Sequence, residues 1–428
     1  MRGIALASIV SHTAWGSHAL SLAVVLALAL LATTPASASS MGAAAGSPLR
    51  VDVHSHVVVM EYEAWFGPNA VTFQDAEAMP VLQSADMQGV GGGYDSADPQ
   101  VIRQHVAWMQ YMGVDAALVD LSNNVGCIFS QGPASTKFCD PADAGFRQSN
   151  RIIRDNTGNL YPAWSALGTP LKLIPLLGCL DERDLATGDD GKSGLQKETE
   201  YFGHLMATYP GLDVDYLGHP LMLLYIGTPV DTALLARARV VLHKSGLDAR
   251  YTIRIVAGYL DSQPEFWLDP NQQPTRSIQI APLDDLWSWV DRLSLANGLY
   301  PTYNAVADTV PARAENFTAA IATAGENGWG CPEPTYCSDD ALRFRGPFYA
   351  TLDDFMGIAT RLDPIFLIVH QFNEFNRGDE GWNADTSDDI EPTREPGGWG
   401  YGGLRAVHDR IERYRIFTRF PRREQPSE

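Results

Sequence analysis

The chain is poor in basic residues: 31 Lys and Arg stand against 51 Asp and Glu, which gives a formal net charge of −20. Nucleic acid and anionic membrane surfaces are negatively charged and repel such a protein. The chain also lacks the P-loop pattern Gly-x-x-x-x-Gly-Lys-Ser/Thr and the Gly-x-Ser-x-Gly turn of serine hydrolases. These absences argue against nucleic-acid binding, P-loop nucleotide hydrolysis and serine-nucleophile chemistry.

Cysteine is also scarce, with five residues in 428, and no two are spaced as Cys-x-x-Cys. A structural zinc site is therefore not expected. Cys127 and Cys139 lie close together in sequence, as do Cys331 and Cys337. Local disulfides across these two loops are the simplest pairing in an exported protein, with Cys179 left as a buried thiol. Sequence does not fix connectivity, and five free thiols are the alternative.

One long apolar run stands out, at residues 19–32, with Arg2 before it and the small residues Ala36–Ala38 after it. This order predicts a secretory signal peptide within residues 1–40, cleaved near residue 38 or 39. The run is shorter than the ~20 apolar residues of a membrane span. An uncleaved anchor helix is the alternative. We expect a secreted, extracellular protein with no membrane partner after cleavage.

What is present suits a packed globular protein: 45% of the residues are hydrophobic and 19% are charged. Helix–glycine–strand steps recur, the clearest being a helix at 99–112, Gly113 and a strand at 114–120. Further strands are predicted at 51–62, 171–177, 221–226, 240–242, 251–257, 300–306 and 366–372, and further helices at 201–209, 232–238 and 404–417.

This alternation predicts an α/β fold, most economically a single (β/α)8 TIM-type barrel with long loops. The barrel would occupy residues 47–418. Residues 1–40 would be the signal peptide and the start of a linker, and residues 419–428 a charged tail.

The segment at 366–375 carries the strongest functional signal. A continuous apolar run leads into Asn373 and Glu374, as in a strand buried on both faces of a parallel sheet. Barrel enzymes place their chemistry at the carboxyl ends of their strands. Glu374 is therefore a candidate acid or base, since partial burial raises a carboxyl pKa, and Asn373 is placed to bind a sugar hydroxyl.

An acidic loop at 377–392 follows and offers Glu380 and Glu391 as partners for Glu374. Glycoside hydrolysis usually needs two carboxyl groups, one to protonate the leaving oxygen and one to attack or to activate water. The alternatives for this loop are a solvated acidic segment or a calcium site made of oxygen ligands, although EF-hand spacing is absent.

Four segments together resemble a known family. They are Tyr-Glu-Ala-Trp-Phe-Gly at 62–67, Gly-Tyr-Asp-Ser-Ala-Asp at 93–98, Gly-Val-Asp-Ala-Ala-Leu-Val-Asp at 113–120, and Asn-Glu-Phe at 373–375 with Ile-Glu-Pro at 390–392. In this order they are similar to motifs of the endo-α-mannosidase-like glycoside hydrolases (family 99).

The resemblance implies a (β/α)8 barrel that acts on a glycan without a cofactor. It implies that Glu374 is catalytic, because the family has a catalytic glutamate after the asparagine. The family's second glutamate comes three residues later, where this chain has Arg377. Glu380, followed by Gly381, could replace it after an insertion, and Glu391 matches the glutamate of Ile-Glu-Pro. The expected catalytic residues are therefore Glu374, Glu380 and Glu391.

Aromatic and polar side chains near these motifs are candidates for binding the glycan. Sugars expose C–H faces that stack on aromatic rings, and polar groups at strand ends can bind hydroxyls. The candidates are Tyr62, Trp65, Tyr94, Asp120, Asn123, Asn373 and Trp382. Each ring could instead belong to the core, and Asp120 and Asn123 could be turn or cap residues.

A separate motif, Asp52-Val-His54-Ser-His56, offers a different chemistry. His-x-His on a strand places two imidazoles on one side, as in metal-dependent barrel amidohydrolases. A satisfied, partly buried histidine pair is the structural alternative. A third possibility is a glycan-binding barrel that lost catalysis with the change to Arg377. The favoured prediction remains a secreted glycosidase with two carboxyl groups, no metal, and an oligosaccharide or polysaccharide as its partner.

Overall fold

The computed structural model describes residues 46–73, 79–121, 129, 144–178, 180, 182–225, 232–258, 285–287, 318–322, 353, 356–357, 360, 364–370, 372–373, 390–394 and 400–419. All of them belong to one compact unit, Ala45–Glu428. The predicted signal peptide, the five cysteines and residues 420–428 lie outside the described residues. No helix in the described part of the chain is long and apolar enough to cross a membrane.

The secondary structure alternates between strands and helices. In chain order the main elements are β1 (Leu49–Val51), β2 (Val57–Tyr62), α1 (Pro99–Met112), β3 (Ala116–Asp120), α2 (Ala144–Leu167), β4 (Lys172–Gly178), α3 (Gly194–Thr208), β5 (Val214–Tyr216), β6 (His219–Tyr225), α4 (Thr232–Lys244), β7 (Thr252–Gly258), β8 (Asp285–Trp287), β9 (Thr318–Ala322), β10 (Phe366–His370) and α5 (Gly402–Arg419).

Eight of these strands run parallel in one sheet. Hydrogen-bonded pairing passes from β9 through β10, β2, β3, β4, β6 and β7 to β8. The two ends of this series, β8 and β9, approach each other to within 8 Å between Cα atoms. A helix separates β2 from β3, β3 from β4, β4 from β6 and β6 from β7. This α/β architecture confirms the predicted fold class and has the strand order of a (β/α)8 barrel.

The two faces of each strand belong to different cores. On β2, Val57 and Val59 join an inner apolar cluster, whereas Val58 and Met60 join an outer cluster that packs against the helices. The reason is the two-residue period of a strand, which sends neighbouring side chains to opposite faces. By the same alternation, the next inward position on β2 is Glu61.

The short strands β1 and β5 add to the amino end of the sheet. β1 pairs with β5 in parallel, and β5 forms a hairpin with β6. Leu217 and Gly218 turn this hairpin with φ values of 55° and 96°, the left-handed region that two-residue hairpin turns require. Val51 and Tyr216 from this end complete the inner core.

Two local predictions differ from the structure. Residues 240–242, expected to form a strand, belong to helix α4. Leu234, Ala238 and Leu242 are buried there at four-residue spacing, which is the helical period. The 24-residue helix α2, with Pro162 inside it, was not predicted. The strand predicted at 300–306 lies outside the described residues.

Helix α1 shows how local sequence sets the ends of an element. Asp98 accepts a hydrogen bond from the backbone N–H of Gln100 at 2.8 Å, and Pro99 occupies the first helical position. Gly113 ends the helix with φ 83°, and its N–H bonds back to the last turn. Helix α1 thereby places His105 and Trp108 against the sheet.

Replacing Asp98 with alanine is expected to lower the free energy of unfolding by about 1–2 kcal/mol, because the cap and a bond from Ser84 are lost together. Ser84 Oγ donates to the second carboxylate oxygen of Asp98 at 3.0 Å. Asp98→Asn keeps the capping oxygen and is expected to cost less than half as much. Urea unfolding of both variants measures the difference, and equal losses would show that the cap contributes nothing.

Candidate functional site

Three carboxyl groups meet at the carboxyl ends of β2 and β3. Glu61 is in phase with the inward residues of β2, and Asp120 is in phase with Ala116 and Leu118, which face inward on β3. Tyr62 pairs with Val119, so the next positions on the two strands are Glu63 and Asp120. One oxygen from each of Glu61, Glu63 and Asp120 lies within 4.8 Å of the others. We call these residues the acidic triad.

The triad is shielded from solvent. The exposed fraction is 1% for Glu61, 1% for Glu63 and 6% for Asp120. Burial raises the pKa of Glu63 well above its usual value, and the neighbouring charge of Asp120 raises it further. Among its contacts with the described residues, Oε2 of Glu63 has no hydrogen-bond partner. The cluster therefore includes a buried carboxyl oxygen, Oε2 of Glu63, that none of the described residues satisfies.

A fourth buried carboxyl group approaches from helix α3. Glu198 has no exposed surface, and its Oε2 accepts a hydrogen bond from the backbone N–H of Gly178 at 3.3 Å. Within the described part of the chain, its Oε1 has no hydrogen-bond partner. Burial raises the pKa of Glu198, and the charges of Asp184 and Asp120 act in the same direction. Glu198 thus adds to the electrostatic field at Asp120.

Asn373 fastens the end of β10 to the end of β2. Its side-chain oxygen accepts the backbone N–H of Glu63 at 2.9 Å, and its side-chain nitrogen donates to the carbonyl of Glu63 at 2.9 Å. The same nitrogen donates to the hydroxyl of Tyr94 at 3.0 Å. These bonds fix the backbone at Glu63 and bring the Asn373 end of β10 beside the acidic triad.

Behind Asn373 lies a buried chain of polar side chains. The hydroxyl of Tyr94 donates to Oε2 of Glu391 at 2.7 Å, and Nε2 of His105 lies 3.2 Å from Oε1. The hydroxyl of Tyr62 lies 3.0 Å from Nδ1 of His105. A His105 tautomer with its proton on Nε2 donates to Glu391 and accepts from Tyr62, which satisfies every contact in this chain.

Both tyrosines act as donors in this chain. Burial raises the pKa of Tyr62 and of Tyr94 well above the usual value, and the charge of Glu391 raises both further. Each hydroxyl therefore keeps its proton. Glu391 is 1% exposed and has a hydrogen bond on each carboxylate oxygen. In this position it holds Tyr94, and through Tyr94 it orients Asn373.

Trp65 joins the site to the next strand. It follows β2 and is only partly buried, and its indole Nε1 donates to the backbone carbonyl of Asp120 at 3.2 Å. Among the predicted aromatic residues that the structure describes, it is the one that is partly exposed, since Tyr62 and Tyr94 are fully buried. A partly exposed indole at the rim of such a sheet can stack on a sugar ring.

Six of the residues predicted from sequence converge here: Tyr62, Trp65, Tyr94, Asp120, Asn373 and Glu391. Tyr62, Tyr94 and Asn373 have no exposed surface. They therefore support the site from behind rather than forming its surface. Glu374, Glu380, Asn123 and Trp382 lie outside the described residues. Their predicted roles stay predictions.

Sequence reasoning missed Glu61, Glu63, His105 and Glu198 as site residues. A signal for the first two was available, because Val57, Val59, Glu61 and Glu63 form an every-second-residue series that turns from apolar to acidic at the carboxyl end of the strand. His105 and Glu198 lie on helices among apolar neighbours. No local pattern separates them from ordinary helix positions.

His54 and His56 lie at the other end of the sheet. They precede the first residue of β2, whereas the acidic triad follows its last residues. The carboxylate of Asp52 accepts bonds from the N–H of His54 and the hydroxyl of Ser55, both at 2.9 Å, so this segment is a local turn. Barrel enzymes place catalytic groups at the carboxyl edge, and the structure does not support the amidohydrolase alternative.

No protein-family model matches the chain, and no curated protein matches it significantly.

Among solved structures, the chain is similar to a GH99 endo-α-mannosidase from Bacteroides thetaiotaomicron. The identity is 15%, the TM-score is 0.49, and the match covers 84% of this chain and 98% of that one. A glycoside hydrolase-like protein matches with 13% identity, a TM-score of 0.47 and coverage of 85% and 97%. The catalytic domain of a chitinase from Pyrococcus furiosus matches with 10% identity, a TM-score of 0.39 and coverage of 88% and 99%. The chain is thus distantly similar in backbone to glycoside hydrolases, among them one of the family that its sequence motifs resemble.

Proposed function

We propose that this protein is a secreted glycoside hydrolase that cleaves an α-linked oligosaccharide or polysaccharide with a pair of carboxyl groups. The observation that carries the proposal is the attachment of Asn373 to Glu63. Asn373 lies at the edge of the parallel sheet where barrel enzymes bind substrate, and Glu374 is the next residue in the sequence. In this proposal Glu374 is one of the two catalytic carboxyl groups.

The second catalytic carboxyl group is assigned to Glu380. The sequence motif gave two candidates, Glu380 and Glu391, because Arg377 occupies the position of the family's second glutamate. Glu391 has both oxygens occupied and almost no exposed surface, so it suits the positioning of Tyr94 and Asn373. Glu380 is the remaining candidate, and it contributes the attacking or water-activating group.

In this proposal the indole ring of Trp65 stacks on a sugar ring of the substrate. Its ring is partly exposed, and its indole N–H is tied to the carbonyl of Asp120. Sugar rings bind to such aromatic faces through their C–H bonds. The net charge of −20 favours a neutral glycan over a polyanion, since like charges repel.

Glu374→Gln is expected to reduce hydrolysis by roughly 10³-fold or more, because a single acid–base or nucleophilic group supplies that much of the rate. The assay measures product release from a panel of α-mannosides and other α-linked glycans. The matched control is Glu391→Gln, which is expected to lower the melting temperature as well as the rate. Glu374→Gln is expected to leave the melting temperature unchanged.

Two results would contradict the proposal. Full activity in Glu374→Gln would show that Glu374 is not a catalytic residue. Binding of glycans by the wild type, with no turnover of any member of the panel, would favour the glycan-binding alternative that Arg377 suggests.

A further inference from the structure

We propose that the acidic triad binds a divalent cation of the calcium class. Glu61, Glu63 and Asp120 are the ligands, and the ion joins the carboxyl ends of β2 and β3. This inference goes beyond glycoside hydrolysis and does not depend on it, since none of the three residues has a part in the proposed carboxyl pair.

The spacing of the triad fits a shared ion. One oxygen from each residue lies within 4.8 Å of the other two. Ca²⁺ binds oxygen at 2.3–2.6 Å, so two of its ligands can be no more than about 5 Å apart. An all-oxygen, all-carboxylate set is the chemistry of hard cations, whereas zinc and copper favour sites with nitrogen or sulfur ligands.

The unsatisfied oxygen atoms are a second, independent observation. Oε2 of Glu63, in a residue that is 1% exposed, has no hydrogen-bond partner. Oε1 of the fully buried Glu198 also has no partner among the described residues. A buried carboxylate oxygen without a partner is costly. A cation at the triad gives Glu63 the missing partner and offsets the field that Asp120 exerts on Glu198.

Protons alone explain the triad less well. A carboxyl group that shares a proton with a neighbouring carboxylate forms a short hydrogen bond, with the two oxygens about 2.5–2.7 Å apart. Such a bond would satisfy Oε2 of Glu63, yet this atom has no partner within hydrogen-bonding distance. None of the ion pairs formed by the described residues involves Glu63. Among the described residues, no basic side chain therefore competes with a cation for Glu63.

Trp65 provides a spectroscopic means of detecting an ion at the triad. The indole of Trp65 bonds to the carbonyl of Asp120, so a luminescent ion at the triad lies close to a tryptophan ring. Tb³⁺ takes the same oxygen ligands as Ca²⁺ and emits when a nearby indole is excited. Full-length protein stripped with EDTA is titrated with Tb³⁺ under tryptophan excitation, and the emission is then competed with Ca²⁺.

We expect saturable emission that Ca²⁺ displaces, and roughly tenfold or greater weakening in Glu63→Gln and in Asp120→Asn. Glu182→Gln, a surface change beside Arg237, is the matched control and is expected to bind like the wild type. Glu374→Gln is also expected to bind normally, which separates a failure of this site from a failure of the proposed hydrolase. Unaltered Tb³⁺ affinity in both triad variants would overturn the proposal.

Thermal unfolding provides the second measurement. Ca²⁺ is expected to raise the melting temperature of the wild type by several degrees and that of Glu63→Gln hardly at all. A wild type whose melting temperature is the same in Ca²⁺ and in EDTA would count decisively against a bound ion.

Discussion

Alanine at position 93 is expected to lower the free energy of unfolding by roughly 3–5 kcal/mol, enough to unfold a marginally stable domain. Gly93 has φ 79°, which costs an alanine about 1 kcal/mol or more. A Cβ atom there would lie 2.1 Å from the ring of Phe73. That ring is buried. Its centroid lies 4.1 Å from the centroid of the Phe66 ring and 5.0 Å from that of Tyr94, so these two rings oppose its displacement.

Gly92→Ala is the matched control for this change. Gly92 has a similar φ of 86°, but its Cβ would meet the flexible end of Met79 at 3.4 Å. It is expected to cost only the backbone strain, about 1 kcal/mol. Urea unfolding of the two variants separates strain from collision. Equal losses at 92 and 93 would show that the Phe73 ring can rearrange and that the aromatic cluster is not rigid.

Asn373→Ala is expected to lower the free energy of unfolding by about 3–5 kcal/mol, because three hydrogen bonds are lost at once. The N–H and carbonyl of Glu63 and the hydroxyl of Tyr94 would each lose a partner within a buried region. Each such loss costs about 1–3 kcal/mol, with some recovery where water enters. Chemical unfolding at equilibrium measures the change.

The matched control for Asn373 is Asn156→Ala. Asn156 is also buried and donates one side-chain hydrogen bond, to the carbonyl of Phe66 at 3.1 Å. Its loss is expected to cost about 1–2 kcal/mol. Asn373→Asp is a further test, since it keeps the acceptor for the N–H of Glu63 and removes the donor to the carbonyl of Glu63 and to the hydroxyl of Tyr94. If Asn373→Ala proves no worse than Asn156→Ala, then the connection between β10 and β2 does not depend on this side chain.

The acidic triad and the Asn373 connection also order the edge where substrate is proposed to bind. Tyr94, Glu391 and His105 form a continuous buried path behind Asn373. Of the residues in this path, Asn373 bonds directly with the backbone of Glu63. We therefore expect variants of this path to change stability and activity together, whereas Glu374→Gln changes activity alone.

The fold class was predictable because its signals are local. Continuous apolar runs marked β3, β4, β6 and β10, and the Asp98, Pro99 and Gly113 pattern fixed both ends of α1. Helix α4 was cut short in the prediction because Val240 and Val241 favour strands in isolation. In the structure they continue a helix whose buried residues are Leu234, Ala238 and Leu242. The packing of the buried face of α4 therefore outweighed the strand propensity of the two valines.

The site was only partly predictable, for a different reason. Tyr94 and Glu391 are 297 residues apart, and Asn373 bonds with a residue 310 positions away. A sequence pattern can show that Glu391 follows an Ile and precedes a Pro, but not that Tyr94 and His105 occupy both of its oxygens. The role expected for Glu391 therefore came from the motif, and its burial came from the structure.

By itself, the sequence determined the acidic balance, the alternation of strands and helices, and the polar residues that follow the apolar runs of β3 and β10. These depend on composition and on the two-residue and 3.6-residue periods, which a chain displays without folding. Only the tertiary structure decided that Glu61, Glu63 and Asp120 share one buried space and that Asn373 closes on Glu63. Those contacts follow from the register between neighbouring strands, and register is set by the packing of the whole sheet.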